Sequence, residues 1–462
     1  MKSLIDNAHA LGAGLAAIRS EYQIPSGFPA DVLAAAQAAA ARTPSEHVDR
    51  SDLPFVTLDP ASSTDLDQAF AIEPAGGDLL LHYAIADIAW FVEDGGPIDA
   101  EAWRRGETIY LPDGKASLYP PLLSERAASL LPDGPRPAII LTVRVDADGN
   151  VGLDGAERAI IRSRAKLAYD SVRASDLPPE FGELARRMAA AEARRGAARV
   201  DPPEQEVTVL PGGGFALAFR PRLSSEADNA ALSLAANLAV ADALQAHGTG
   251  LFRVMAEPDE KAVARLRHSA AALGVAWPEG MTLRDFEKGL QPADPQQAAL
   301  MMAIRRAGPG ASYAPFRAGS LPWHAAMAAT YAHATAPLRR LADRYVLRAA
   351  LAIAKGQPVP AVVAQAFEKL PAVMARADMV AGKIERAVVD LAETLLLSGR
   401  EGTAFDAIVT DVDERGGKVQ LCELPVVARL AVPGLTPGRR VDLRLAGVDP
   451  DRRSLSFELA GG

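Results

Sequence analysis

The spacing of apolar residues changes character along the chain, and three regimes follow from it. Apolar positions first recur at helical intervals over residues 4–19 and 30–42, on either side of the turn Ile24-Pro25-Ser26-Gly27. This predicts two helices in a hairpin, an arrangement that includes the helix-turn-helix. From Asp52 the period shortens. Residues 55–58, 79–85 and 139–145 read as strands, and Asp146-Ala147-Asp148-Gly149-Asn150 as a turn. Helical periods return over 181–199, 227–247, 259–273, 296–306, 338–354 and 364–397, with Arg339 and Arg340 in the first turn of the fifth. Past Ser398-Gly399-Arg400-Glu401-Gly402, short strands alternate with Gly416-Gly417, Pro433-Gly434 and Pro437-Gly438 turns, the pattern of a small β-barrel. The expected fold class is α+β and multidomain: a helical domain over 1–48, a large mixed α/β domain over 49–397 and an OB-like barrel over 398–462.

Composition narrows the function. The 462 residues are 49% hydrophobic and 23% charged, an ordinary globular balance. One cysteine, Cys422, excludes a disulfide framework and a cysteine zinc site, which fits a reducing, cytoplasmic setting. No basic segment followed by an apolar core opens the chain, so no secretory leader is expected. The alanine-rich stretch 229–247 is interrupted by Asn237 and Asp242 and reads as a packed helix, so no membrane partner is expected. Gly12-Ala13-Gly14 imitates part of a dinucleotide fingerprint but follows no strand, and no organic cofactor is expected.

Net charge is −9, against the basic excess usual for polyanion binders, but the distribution is uneven. Residues 51–103 contain eleven carboxylates and no lysine or arginine, whereas 301–355 contain eight basic residues and one acid, Asp343. One region looks suited to cations and the other to anions, as a protein that binds both a metal and a phosphate polymer requires.

The densest chemistry is Leu58-Asp59-Pro60-Ala61-Ser62-Ser63-Thr64-Asp65-Leu66-Asp67-Gln68. Two carboxylates about 5 Å apart repel by roughly 3 kcal/mol at an effective dielectric near 20, so a fold that gathers these acids needs a cation or open water. Oxygen donors without Cys or His favour Mg²⁺ or Mn²⁺. A solvated acidic turn accounts for the same spacing equally well. The glycine and terminal glutamate of an EF-hand are missing, as are a G-x-S-x-G elbow and a G-x4-G-K-[ST] loop.

Further motifs follow in order: Ile85-Ala86-Asp87, Tyr110-Leu111-Pro112, Leu123-Ser124, Tyr331-Ala332-His333-Ala334-Thr335-Ala336-Pro337-Leu338-Arg339-Arg340-Leu341-Ala342-Asp343 and Glu385-Arg386. As an ordered set over about residues 52–397, they resemble the RNase II/RNase R (RNB-domain) family of 3′-to-5′ exoribonucleases. The C-terminal barrel resembles that family's S1 domain. The resemblance implies an enzyme with a channel for single-stranded RNA that releases 5′-mononucleotides processively with Mg²⁺ or Mn²⁺; a monomer is expected. It implies Asp59, Asp65, Asp67 and Arg339 as catalytic residues and Asp59, Asp65, Asp67 and Gln68 as the metal set, in a two-metal site. Tyr110, Glu385, Arg340 and His333 are implied in substrate binding.

Several positions depart from the family pattern. Gln68 replaces a fourth acid, Ala336 a serine and Leu341 an aromatic. The cold-shock domains expected ahead of the catalytic region have no counterpart in residues 1–48. The barrel is expected to be poor in exposed aromatics, with Phe405 and Phe457 its only two, so its grip on RNA would rest on Lys418, Arg429, Arg439, Arg440 and Arg444. The Gln68 departure leaves open an RNA-binding pseudo-nuclease with a decayed metal site.

Overall fold

The computed structural model describes residues 2–197, 204–210, 214–220, 223–291, 294–308, 310–413 and 416–460. Its centre is a five-stranded sheet. Gln68–Ala75, Asp78–Ala86, Arg136–Val145 and Val151–Ile161 run antiparallel in that spatial order, and Val48–Asp49 adds in parallel at the edge. Asp78–Ala86 alternates half-buried and buried positions as far as His82, then is buried without interruption from Tyr83 to Ala86. The change marks where the helix Ser224–Ala246 lies across the sheet. A run of apolar residues without alternation is what a strand covered on both faces requires.

The helix Ala361–Leu397 has 37 residues and is about 55 Å long at 1.5 Å per residue. It touches each of the chain's three regimes. The N-terminal helix Lys2–Glu21 packs on its C-terminal half through Leu11, Leu15 and Ile18. A Cβ on Gly14 would sit 2.5 Å from Leu391 Cδ2, so this glycine serves helix packing. The second helix, Ala30–Ala40, instead places Val32, Ala36 and Ala39 in the main core, next to the helix Pro97–Arg105. The two N-terminal helices therefore flank different cores.

The barrel is built from Ala404–Asp413, Gly416–Leu421, Val427–Leu430, Arg440–Asp449 and Ser454–Leu459, whose two edge strands curl toward each other. Phe405 and Phe457 are both buried and meet edge to face, 6.3 Å between centroids. The expectation that they are exposed is corrected: each sits on the inward side of an alternating strand and fills the barrel. The barrel is tied to the long helix at Glu393, whose Oε1 accepts from Val427 N at 2.8 Å and from Gln205 Nε2 at 2.7 Å. Among the described residues no helix is long and apolar enough to cross a membrane.

The charge asymmetry has a structural side that the sequence does not separate out. Arg348 grips Asp94 with two hydrogen bonds of 2.6 and 2.8 Å, and Arg344 is paired with Asp99. Arg344 is 1% exposed and also donates to the hydroxyls of Tyr119 and Tyr345. Two arginines of the basic run therefore neutralise two acids of the acidic run inside the fold.

Candidate active site

Asp65 and Asp67 sit in the irregular segment 60–67, between the strand Thr57–Asp59, which Asp59 ends, and the first residue of Gln68–Ala75. Buried Leu66 anchors the segment, with its N–H bonded to Ser129 Oγ at 2.9 Å and its carbonyl to Leu130 N at 3.0 Å. Lys166 Nζ crosses from the neighbouring parallel strand and donates to the carbonyls of Ala61 and Ser63 at 2.8 and 2.6 Å. These bonds satisfy a backbone that has no ladder of its own.

The four positions of the expected metal set end in different states. Asp59 terminates its strand, and among the described residues no donor reaches its carboxylate. Burial raises its pKa to about 7, opposed by the charges of Arg339 and Lys166 and reinforced by Asp65. Asp67 is buried, accepts from Leu338 N at 2.7 Å and lies 3.5 Å from Arg339 Nε. Burial lifts it to about 8, against the pull of Arg339 and the Leu338 amide.

Asp65 is tied on both oxygens, to Lys115 Nζ at 2.7 Å and to the Tyr110 hydroxyl at 3.0 Å. Gln68 is engaged at both ends of its amide: Nε2 donates to the Thr335 carbonyl and Oε1 accepts from the Tyr83 hydroxyl, each at 2.7 Å. The amide stitches the sheet to the segment carrying the paired arginines.

That segment differs from its sequence expectation. The helix begins at Leu341, so Arg339 and Arg340 precede it. The backbone is held instead by bonds from Thr108 N to the Arg339 carbonyl and from Leu341 N to the Gly106 carbonyl, each 2.9 Å. The consequence is a split between the two arginines. Arg340 is clamped on Asp343 by bonds of 3.0 and 2.8 Å. Arg339 is 46% exposed at its side chain, with the 3.5 Å approach to Asp67 as its carboxylate contact.

Beside the acids opens a cleft of about 520 Å³. Tyr110, Arg339, Arg340, His333 and Glu385 all line it, so five residues placed together by motif order are together in space. Tyr110 is 54% exposed, and Glu385 is exposed on the long helix. His333 Nδ1 lies 2.8 Å from the Tyr313 hydroxyl, and burial with three nearby arginines drives its pKa well below the ordinary value, leaving it neutral.

Sequence reasoning missed Lys115, Lys166, Arg253 and Tyr313. Lys115 carried a usable signal. Ile109–Leu111 and Gly114–Ala116 form a hairpin around the two-residue turn Pro112-Asp113, in which Tyr110 and Lys115 are direct cross-strand partners. Arg253 and Tyr313 come from two paired strands remote in sequence, and stack at 4.5 Å in the cleft wall.

The donor chemistry fits a hard divalent cation at Asp59 and Asp67. Asp67 is buried and Asp59 half-buried; desolvation is the main cause of the raised pKa of each, and the charge of Arg339 is the chief opposing influence on both. Among the described residues, however, no three His, Cys, Asp or Glu side chains are grouped as a metal site, as expected when Asp65 turns to Lys115.

Comparison with known proteins places this geometry. Residues 47–355 match the RNB domain family and residues 403–460 the RNase II-type exonuclease C-terminal S1 domain. The chain is 27% identical to ribonuclease R of Aquifex aeolicus over 95% of its own length and 69% of the relative's. It is 30% identical to exoribonuclease 2 of Enterobacter sp. strain 638 over 84% of its length and 63% of the relative's. It thus spans roughly two thirds of such relatives or less, down to 54% of a Lactococcus lactis ribonuclease R. In fold it superimposes on Mycoplasma genitalium RNase R, solved with ribose-methylated single-stranded RNA, with TM-score 0.84 and 20% identity over 96% of this chain and 77% of that one. The chain belongs to the RNase II/RNase R (RNB-domain) family of exoribonucleases.

Proposed function

We propose that the protein is an active, divalent-metal-dependent exoribonuclease that shortens single-stranded RNA from its 3′ end, releasing 5′-mononucleotides processively. One observation carries the reading. Two residues that line the cleft reach the buried acids, Arg339 at Asp67 and Tyr110 at Asp65, so a strand in the cleft would deliver a phosphate to the carboxylates.

Asp59 and Asp67 are the residues that would hold the metal, Mg²⁺ or Mn²⁺. When bound, the ion lowers the pKa of a water and neutralises developing charge on phosphate. Arg339, with an exposed guanidinium, clamps a non-bridging phosphate oxygen pair. Arg340 is held by Asp343 through Nε and Nη2 and shapes the loop that aims Arg339, while its place in the cleft wall keeps it beside the strand. Tyr110 stacks on a base near the 3′ end, a contact indifferent to sequence. Glu385 and neutral His333 offer acceptors to sugar hydroxyls. The proposal for RNA over DNA rests on the family.

A second reading, a pseudo-nuclease, draws support from Gln68, whose amide is spent on Thr335 and Tyr83. A gel of 5′-labelled RNA and DNA oligonucleotides with and without Mg²⁺ separates the two. Mg²⁺-dependent laddering from the 3′ end of RNA supports the enzyme, and binding without shortening at any Mg²⁺ concentration rejects it.

A further inference from the structure

Lys115 is the one strong cation delivered to the acid segment by the hairpin that also delivers Tyr110. The hairpin register fixes both on one face, and their tips converge on opposite oxygens of the same carboxylate, Asp65. Lys115 is 18% exposed and Asp65 10%. Besides the 2.7 Å bond to Asp65, Nζ donates to Thr64 Oγ1 at 3.3 Å and pairs with Glu125 Oε1 at 3.3 Å, so three protein oxygens surround it. Thr64 in turn donates to Glu125 Oε2 at 3.0 Å, closing the ring.

Of the four positions in the expected metal set, Asp65 and Gln68 are therefore committed to protein groups. Asp59 has no donor among the described residues, and Asp67 keeps only the Leu338 amide at 2.7 Å and Arg339 at 3.5 Å. An ammonium at Asp65 also repels any cation that would bridge from it to its neighbours. The geometry points to a site for a single divalent ion, held by Asp59 and Asp67, in which we propose that Lys115 takes the place of a second metal. This inference rests on the metal-dependent reading and replaces the two-metal arrangement that the family resemblance implied. In it Lys115 is a positioning residue: it neutralises Asp65, and with it fixes the hydroxyl end of Tyr110 where the cleft meets the acids.

The test is the metal count on the 462-residue chain, read by Mn²⁺ titration calorimetry and by electron paramagnetic resonance. Two Mn²⁺ ions about 3.5–4 Å apart form an exchange-coupled pair, whereas a lone ion does not. The wild type is expected to bind one Mn²⁺ in the cleft with no coupled signal. Lys115→Met is expected to move the stoichiometry from one to two and to produce the coupled signal. Lys115→Arg, which keeps the charge, is expected to stay at one. A coupled pair in the wild type overturns the inference, as does a single ion in a Lys115→Met protein with native circular dichroism. Should that variant fail to fold, the wild-type spectrum and the Lys115→Arg stoichiometry still decide. Asp67→Asn serves as the separate control: if it binds Mn²⁺ as the wild type does, the assignment of the ion to Asp59 and Asp67 fails, whatever Lys115 does.

Discussion

Two buried carboxylates, Asp99 and Asp67, meet arginines from the same basic stretch and end in opposite electrostatic states. Asp99 is paired with Arg344 and also accepts from Gly95 N at 2.8 Å and from the Tyr345 hydroxyl at 3.1 Å. Asp67 has one backbone donor and a guanidinium held at 3.5 Å, and its pKa climbs to about 8. Taking a charge out of water costs several kcal/mol, and full pairing offsets this where loose pairing does not. Asp99 is thus a structural charge. Asp67 is a charge kept short of a partner, the state that suits a site awaiting a cation. Arg339 and Arg340 repeat the contrast within two consecutive residues.

The comparison can be broken most sharply at its reactive end. Asp67→Asn is expected to lower turnover by about a thousandfold, roughly 4 kcal/mol of transition-state stabilisation. RNA affinity should stay at the wild-type value or rise, because the basic cleft and Tyr110 are untouched. Single-turnover rates and filter binding on one preparation check both halves. A variant that keeps a tenth of the normal rate removes Asp67 from the chemistry.

At the paired end, Arg344→Met leaves Asp99 buried without its cation and is expected to cost about 3 kcal/mol of folding stability. Denaturant melts give the number. A loss below about 1 kcal/mol would show that the pair is dispensable and the contrast misdrawn.

Proton linkage sharpens the comparison further. The folded protein holds the Asp67 proton up to about pH 8, whereas the unfolded chain releases it near the ordinary value of 3.8. The folded state thus binds more protons between those limits. The stability this gives is complete below about pH 4 and is lost as pH rises to about 8. In EDTA the wild type should therefore lose more stability than Asp67→Asn over that interval, and Mg²⁺ should close the gap by favouring the ionised form. Parallel pH slopes in the two proteins would contradict the shifted pKa.

The smallest effect is expected at Gln68. Gln68→Asp removes the amide donor to Thr335 without freeing an oxygen toward Asp59 or Asp67, so the Mg²⁺ concentration for half-maximal rate should move by less than about threefold. An inactive wild type that this change alone restores would establish the pseudo-nuclease reading.

How much of this was legible in the sequence depends on how local each signal is. The strand read at 79–85, the helix start at Asp259 and the closeness of Asp59, Asp65 and Asp67 along the chain follow from period and spacing within a few residues. The ordered motifs brought Tyr110, His333, Arg339, Arg340 and Glu385 to one cleft. Long-range pairing was not legible. Arg344 and Arg348 looked like anion binders until Asp99 and Asp94, some 245 and 254 positions away, were seen to claim them. The arginine pair was expected inside a helix, because Pro337 followed by an apolar period resembles a helix start. Bonds to Gly106 and Thr108, invisible in sequence, hold it instead in a turn that ends on an extended Arg340. The roles of Phe405 and Phe457 turned on which face of a strand is inward, which needs the register.

The Glu393 junction bears on modularity. Its carboxylate is buried enough that its pKa is raised to about 7, and the Val427 amide and the Gln205 side chain are what make its burial tolerable. A barrel exchanged for that of a relative would fit only if it returned a backbone N–H to this one oxygen. The same seam also carries the Gln205 Nε2 bond to the Pro425 carbonyl at 2.7 Å and Leu397 of the long helix packed into the barrel core, so the barrel behaves as an inherited half of a joint that the long helix completes.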